Sequence, residues 1–360
     1  MEIEITRKQS SIMRGMAILG ICTTNFLALH YRDCIELFPK CNEMSFNEDS
    51  LAILFSNLQN WEFAALSLFM TWYGVTVFIF LSGYGLTKKY IITDVIVKPK
   101  SFLIEHYNKL LLLVLPSLLY FIVVFIVSEN WPRLFYSMLS LSFLNELALL
   151  PPPSFIYWYF SLAFELYIAF LVLKKLNSKL EIFIVGVLIL AIQCLFNSSG
   201  VFEYKMLYYI RHNLWGWLPV FMMGILAAKY PFVIGFRISS KIILGILGLS
   251  LYVSVVLMNT NFYTWLISPF VAIIAYYILS ISIESTIVGK FFSFFGKKSA
   301  LLFSTHAVVL SVIELFFNQQ TFMAKVLIYV LMLTILCPIY RCFIAVGSKY
   351  ICISMTSQKH

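Results

Sequence analysis

Charged residues are scarce in this chain of 360 residues. Only 12% are Asp, Glu, Lys or Arg, whereas 61% are hydrophobic, and the mean hydropathy is +0.88. Soluble domains contain about 25% charged residues, so this chain has too few to cover its surface in water. The composition therefore excludes a soluble enzyme or binding protein and predicts a protein that crosses a membrane several times.

Sequence patterns of strands, metal sites and nucleotide-binding folds are also absent. No segment alternates between apolar and polar residues as a strand would, no glycine-rich nucleotide fingerprint occurs, and no residues have metal-ligand spacing. The seven cysteines contain no CxxC pair. We therefore expect an all-α protein with no bound metal or cofactor. Cys34 and Cys41 lie in one loop, and a disulfide and two free thiols are both open.

The net charge of +9 results from 26 basic and 17 acidic residues. The basic residues form no cluster or run, as they would at a nucleic-acid surface, so we expect no nucleic-acid partner. They instead suit a membrane protein, in which Lys and Arg concentrate in the cytoplasmic segments.

Ten apolar stretches are long enough to span a bilayer, which takes about 20 residues in a helix. They are 12–31, 65–87, 108–128, 155–174, 180–197, 213–229, 241–258, 262–283, 299–318 and 324–346. A further stretch, 133–150, contains Asn145 and Glu146 and ends at three prolines. We interpret it as a helix that lies at the interface or re-enters the membrane.

The basic residues also indicate how these spans are oriented. If the N-terminus is cytoplasmic, twenty of the 26 basic residues fall in cytoplasmic segments and six fall outside. An eleventh span would invert every later loop and remove this bias. We therefore predict one membrane domain over residues 1–360, a polytopic helical bundle of about ten transmembrane helices with both termini cytoplasmic.

Polar side chains inside the first span are functional candidates, because such groups are costly in lipid. Arg14 and Asn25 lie eleven residues apart, so they share a helix face to within about 20°. His30 is rotated by about 160° from Arg14 and lies at the outer end of the stretch. A functional role for His30 and a position as an interfacial histidine are both open.

Two candidates lie in later spans. Glu165 falls in the middle of the fourth span on the face of Trp158, and it is either a functional acid or a structural partner for Arg14 or helix-end amides. His306, in the ninth span, is a candidate base, proton carrier or buried hydrogen-bonding group. We expect His106, near the start of the third span, to be solvated.

The cytoplasmic end of the second span combines glycines with basic residues. Gly83 and Gly85 flank Tyr84, and Lys88 follows. Glycines beside lysines suit a nucleotide-like phosphate. Close packing between helices explains the same glycines equally well.

Five segments occur in the order found in the acyltransferase 3 family, whose members are bacterial ten-helix membrane enzymes that O-acylate sugars of surface polysaccharides and related acceptors. The segments are SIMRGMAILGI, VTVFIFLSGYGLTKKY, YWYFSLAFELYIAF, NLWGWLPVFMMGILAAKY and FFGKKSALLFSTHAVV. The chain thus resembles this family over nearly its whole length, and its second helix is most similar to the Bacteroidetes branch.

The resemblance implies a donor, an acceptor and a location in the cell inner membrane. Acetyl-CoA or another acyl-CoA would approach from the cytoplasm as a substrate, and a hydroxyl of a saccharide or glycolipid acceptor would receive the acyl group. The candidates for the donor site are then Arg14, Tyr84 and Lys88, those for proton transfer are Glu165 and His306, and the acceptor-side candidate is His30.

The first span departs from the family at one position. The family's best-known motif is an arginine followed after ten residues by a histidine, which acts as base or acyl carrier. Arg14 matches the arginine, but Asn25 stands at the histidine position and has no titratable nitrogen. Either His30 substitutes through a bent helix, or His306 or Glu165 supplies the base, or the chain is a catalytically silent member or a carrier or flippase of polysaccharide export.

Restoring a histidine at position 25 tests these alternatives. The Asn25→His variant should gain acyl transfer, because it returns a base to the helix face of Arg14. Transfer of label from acetyl-CoA to a polysaccharide acceptor measures the gain, with Asn25→Ala as the control. Equal transfer by both variants would contradict the view that the rest of the site is intact.

Overall fold

The computed structural model describes residues 4–30, 73–132, 134–135, 158–176, 178–198, 214–230, 240–257 and 262–357. Every regular element in these ranges is a helix, and none is a strand. The all-α prediction is therefore confirmed for the described residues. The predicted loop with Cys34 and Cys41 and almost all of the stretch 133–150 lie outside them.

Eleven main helices account for most of the described residues. They are α1 (Arg7–His30), α2 (Tyr73–Thr87), α3 (Pro99–Val127), α4 (Trp158–Leu173), α5 (Lys179–Ser198), α6 (Leu214–Lys229), α7 (Lys241–Leu257), α8 (Phe262–Ile283), α9 (Ile287–Lys297), α10 (Ser299–Phe316) and α11 (Phe322–Ser357). A π-helical turn, Lys88–Ile92, continues α2. Ten of the helices coincide with the ten predicted stretches, and α9 is the addition.

The described residues contain five helical segments that are long and apolar enough to cross a membrane. They are Gly74–Ile92, Pro99–Val127, Leu266–Ile283, Ser299–Phe316 and Phe322–Ser348. Three further apolar helices are shorter, namely Trp158–Leu173, Leu214–Lys229 and Lys241–Val255. The chain is therefore a multi-pass membrane protein, whereas ten spans and cytoplasmic termini remain predictions.

The helix α9 was not expected, because its eleven residues are too few for a span. Its beginning is capped by Thr286, whose side-chain oxygen accepts a hydrogen bond from the backbone N–H of Gly289 at 3.1 Å. This cap satisfies one of the N–H groups that have no partner within the first turn of a helix.

The chain forms two compact units. Unit 1 consists of Met1–Ile96 and Phe170–Ser299, and unit 2 consists of Val97–Ala169 and Ala300–His360. Unit 1 thus contains α1, α2 and α5 to α9, whereas unit 2 contains α3, α10, α11 and most of α4.

Glycines allow the helices of unit 1 to pack with their backbones in contact. A β-carbon on Gly83 of α2 would overlap the carbonyl of Phe221 on α6, and one on Gly224 of α6 would overlap the carbonyl of Phe80. In lipid the hydrophobic effect does not drive helices together, so the van der Waals attraction of such close contact stabilises their packing. Packing therefore explains Gly83.

Hydroxyl groups connect the helices of unit 2. Ser117 of α3 donates to the carbonyl oxygen of Ser304 on α10 at 2.7 Å, and its oxygen lies 3.1 Å from the hydroxyl of Tyr340 on α11. Tyr120 donates to Ser311 on α10 at 3.3 Å. These hydrogen bonds satisfy hydroxyls that are buried or partly buried between helices.

The two glycines beside Tyr84 provide a matched test of this packing. Gly83→Ala should lower the free energy of unfolding by about 1–3 kcal/mol, because its methyl group meets the backbone of α6. Gly85→Ala should be neutral or slightly stabilising, because a β-carbon there meets no atom within 4 Å and alanine favours a helix. Thermal unfolding in detergent, followed by intrinsic fluorescence, measures both. Equal effects of the two changes would contradict this packing.

Candidate functional site

The predicted donor residue Arg14 lies half-buried on α1, in the part of this helix that contacts α9. Its Nε donates to the carbonyl oxygen of Ser10, 3.3 Å away. On either side of it, Ser11 and Gly15 lie against the backbone of α9 at Gly296. The short helix that the sequence analysis missed therefore borders the turn that carries Arg14.

The other polar residues of α1 retain the spacing that the sequence predicts. Asn25 is half-buried, and α1 is one unbroken helix up to His30. The rotation of His30 away from the face of Arg14 therefore still applies as a helical estimate. The His30 side chain is outside the described part of the structure.

Tyr84 and Lys88 lie together at the end of α2 and contact the residues that precede α1. The hydroxyl of Tyr84 accepts a buried hydrogen bond from the backbone N–H of Ile5 at 3.1 Å. Lys88 Nζ lies 2.7 Å from a carboxylate oxygen of Glu4 and 5.8 Å from the centre of the Tyr84 ring. The hydrogen bond from Lys88 holds the pKa of the exposed Glu4 carboxyl below its usual value.

Thr87, between these two residues, was not predicted. Its hydroxyl oxygen is completely buried and forms no hydrogen bond to any described residue. The chain also changes there from an α-helix to the π-helical turn Lys88–Ile92, a feature that is frequent at functional sites. Threonine is common in apolar helices, so the sequence alone does not indicate a functional role for Thr87.

Glu165 lies in the middle of α4 and is 1% exposed. Ser161 and Trp158, one and two turns earlier on the same face, are buried as well. A different face of α4 carries Tyr167 and Phe164, which contact Phe102 and Tyr107 of α3. The Glu165 carboxyl group thus lies on a buried face of α4. The aromatic contact between α4 and α3 lies on a different face.

His306 lies in α10 and is 4% exposed. Its Nδ1 is 2.8 Å from the carbonyl oxygen of Phe303 and 3.1 Å from that of Leu302. Because carbonyl oxygens only accept hydrogen bonds, Nδ1 carries the proton. In the neutral ring Nε2 is then the basic nitrogen.

The directions of three helices in unit 2 follow from their contacts. Ser117 and Tyr120 of α3 pair with Ser304 and Ser311 of α10 in the same order, so these helices are parallel. Phe102 and Tyr107 of α3 meet Tyr167 and Phe164 of α4 in reverse order. The helix α4 is therefore antiparallel to both.

These directions separate Glu165 from His306. Phe160 of α4 packs against Phe303 of α10, with ring centres 5.5 Å apart. From this contact Glu165 lies five residues along α4 and His306 lies three residues along α10 in the opposite direction. At a rise of 1.5 Å per residue, their backbones differ in height by about 12 Å. The two proton-transfer candidates share a unit but do not lie side by side.

The expectation that His106 is solvated was wrong. This histidine is 6% exposed, and its ring centre lies 4.1 Å from that of Phe102 and 4.4 Å from that of Tyr167. Its Nδ1 is 2.8 Å from the carbonyl oxygen of Phe102. A position near a span end suggested solvent, but the aromatic side chains of α3 and α4 cover the ring.

The predicted site residues thus fall into two groups. Arg14, Tyr84, Lys88 and His30 belong to unit 1, and Glu165 and His306 belong to unit 2. Within unit 1, Tyr84 and Lys88 meet the residues just before α1, and Arg14 lies two turns along that helix.

Comparison with known proteins gives one match. The sequence profile of the acyltransferase 3 family, described as an acyltransferase domain, matches residues 8–341. No curated protein and no solved structure matches the chain.

The hydrogen bond between Ile5 and Tyr84 should hold the start of the chain against α2. Tyr84→Phe removes the acceptor of a buried N–H, so the opened segment should become about fivefold more populated, the factor that corresponds to ~1 kcal/mol. The rate of trypsin cleavage after Arg7, followed by mass spectrometry, measures this opening. Tyr90→Phe is the control, since the Tyr90 hydroxyl accepts a hydrogen bond from the exposed side chain of Lys89 at 2.8 Å. Equal cleavage of both variants would rule out the proposed role of the bond.

Proposed function

Because the chain belongs to the acyltransferase 3 family, we propose that it transfers an acyl group, in the simplest case acetyl, from acyl-CoA to a sugar hydroxyl. The acceptor is a cell-surface polysaccharide or its precursor, and the protein acts in the cell inner membrane. The family match over residues 8–341 carries the assignment to acyl transfer. The buried His306 supports the proposed chemistry.

In this proposal the donor binds at the end of α2 that precedes the π-turn. Lys88 is the phosphate contact, since an ammonium group forms charge-assisted hydrogen bonds with phosphate oxygens. Tyr84 lies beside it, and the buried hydroxyl of Thr87 is a further hydrogen-bonding group. Arg14 contributes a second cation from α1. Glu4 forms an ion pair with Lys88, so the phosphate must displace the Glu4 carboxylate in order to bind there.

The transfer itself requires one proton to leave the acceptor. Nε2 of His306 takes the proton from the sugar hydroxyl as its oxygen attacks the thioester carbonyl. The carbon–sulfur bond of the tetrahedral intermediate then breaks, and CoA leaves as a thiol after receiving that proton. The products are the sugar ester and free CoA, so no other reactant is needed.

Glu165 and His30 have separate roles in the proposal. The height difference of about 12 Å along the helices argues against direct proton exchange between Glu165 and His306. We propose that Glu165 accepts protons elsewhere on the path, and that His30 contacts the acceptor at the outer end of α1. Asn25, which is half-buried on the same helix, supplies hydrogen bonds but no base.

The alternative function follows from Asn25. Without the family histidine, the chain would be a catalytically silent subunit of polysaccharide export, or a carrier or flippase that uses Glu165 and His306 as a proton path. A carrier would show uptake that depends on a pH gradient and no covalent transfer.

A pair of buried histidines provides the decisive test. His306→Gln should lower the transfer of label from acetyl-CoA to a polysaccharide acceptor at least about 100-fold, because it removes the base. His106→Gln is the matched control, because His106 is also buried and also bonds the carbonyl one turn earlier. Binding of CoA should be unchanged in the His306 variant, and its thermal midpoint should fall no further than that of the His106 variant.

Equal losses in the two variants would show that packing, not the base, is responsible for the effect. Absence of transfer by the unmodified protein, together with uptake driven by a pH gradient, would replace the enzyme proposal by the carrier.

A further inference from the structure

The helix α9 has three different surfaces around its axis. Its buried surface consists of small residues, Gly289, Ser293 and Gly296. Its exposed apolar surface, called here the α9 apolar face, consists of Ile287, Val288, Phe291 and Phe294, which are 51–83% exposed. Lys290 and Lys297 lie within about 20° of each other at the border between the two surfaces.

The small residues fix α9 against α1. A β-carbon on Gly15 would overlap the carbonyl of Phe292, and one on Gly296 would overlap the carbonyl of Ser11. Because the backbones are in contact, α9 cannot rotate to bury its apolar face against α1. That face therefore remains directed away from unit 1.

The length of α9 determines where it lies relative to the membrane. Eleven residues rise about 16 Å, which is too short for the hydrocarbon core of about 30 Å. The candidate span Leu266–Ile283 ends just before α9, and Ser299–Phe316 begins just after it. Since α9 does not cross, the end of α8 and the start of α10 lie at the same membrane surface, and α9 lies there with them.

The charge of this surface is positive. Lys290, Lys297 and Lys298 are the charged residues from Ile287 to Lys298, and none of them pairs with a carboxylate of the described residues. Lys298 Nζ lies 3.9 Å from the centre of the Phe294 ring, at the edge of the apolar face. The nearby Glu284 instead accepts a hydrogen bond from Gln9 at 3.1 Å.

We propose that α9 is an interfacial helix that binds anionic lipid. The α9 apolar face inserts between headgroups and acyl chains of one leaflet, while Lys290, Lys297 and Lys298 bind the phosphates of anionic headgroups. An apolar stripe bordered by lysines is the pattern of helices that lie in the plane of a membrane. The occupant is a lipid of negative charge, because no carboxylate of the described residues pairs with the three lysines.

Binding of labelled phosphatidylglycerol to the full-length protein in detergent tests the electrostatic part. The triple variant K290Q/K297Q/K298Q should bind at least about tenfold more weakly, since each lysine near an anionic headgroup contributes a severalfold factor. The control K174Q/K175Q/K179Q removes the same charge from a different loop and should bind as the unmodified protein does. Equal binding by both triple variants would overturn the proposal, and so would equal affinity for phosphatidylcholine.

Insertion of the apolar face has its own readout. Phe291→Trp should add fluorescence that lipids brominated near the headgroup quench in vesicles, whereas the seven native tryptophans provide the baseline. Quenching no greater than that of the unmodified protein would show that α9 does not insert. Neither measurement depends on acyl transfer, so a failure here is distinct from a failure of the proposed enzyme.

Discussion

The cost of an unsatisfied polar group in an apolar helix bundle is the constraint on which the structure depends. An unpaired polar group is costly inside a chain that is 61% hydrophobic, so partners in neighbouring turns and helices stabilise buried hydroxyls and rings, with Thr87 as an exception among the described residues. Ser117 and Ser304 do so between helices, and His306 does so with carbonyls of its own helix. The same cost explains why Nδ1 of His306 donates its proton to carbonyl oxygens of its own helix.

The sequence predicts the positions of the long helices well. It does not predict the short helix α9 or which distant side chains pair. Long apolar stretches mark a membrane helix without reference to the rest of the chain, and most predicted ends agree with the structure within a few residues. The helix α9 was missed because an eleven-residue segment that contains Lys290 and Lys297 and is followed by Lys298 resembles a loop. The pairing of Lys88 with Glu4 was missed because 84 residues separate the partners and neither has a local pattern.

The sequence names candidate site residues but does not give their geometry. Acids and bases inside apolar stretches are few in such a chain, so the positions of Glu165 and His306 within predicted spans single them out as candidates. Whether they meet depends on the order in which α3, α4 and α10 pack, which hydropathy does not encode. His106 shows the converse, since a histidine near a span end is buried once Phe102 and Tyr167 cover it.

Backbone contact at Gly15 and Gly296 has a mechanical consequence for α1. Two helices that touch through their main chains have no flexible side chains between them to absorb a displacement. A sideways shift of α9 therefore displaces α1 directly, and the reverse also holds. Arg14 is adjacent to Gly15, so a displacement of α9 would also displace the Arg14 guanidinium.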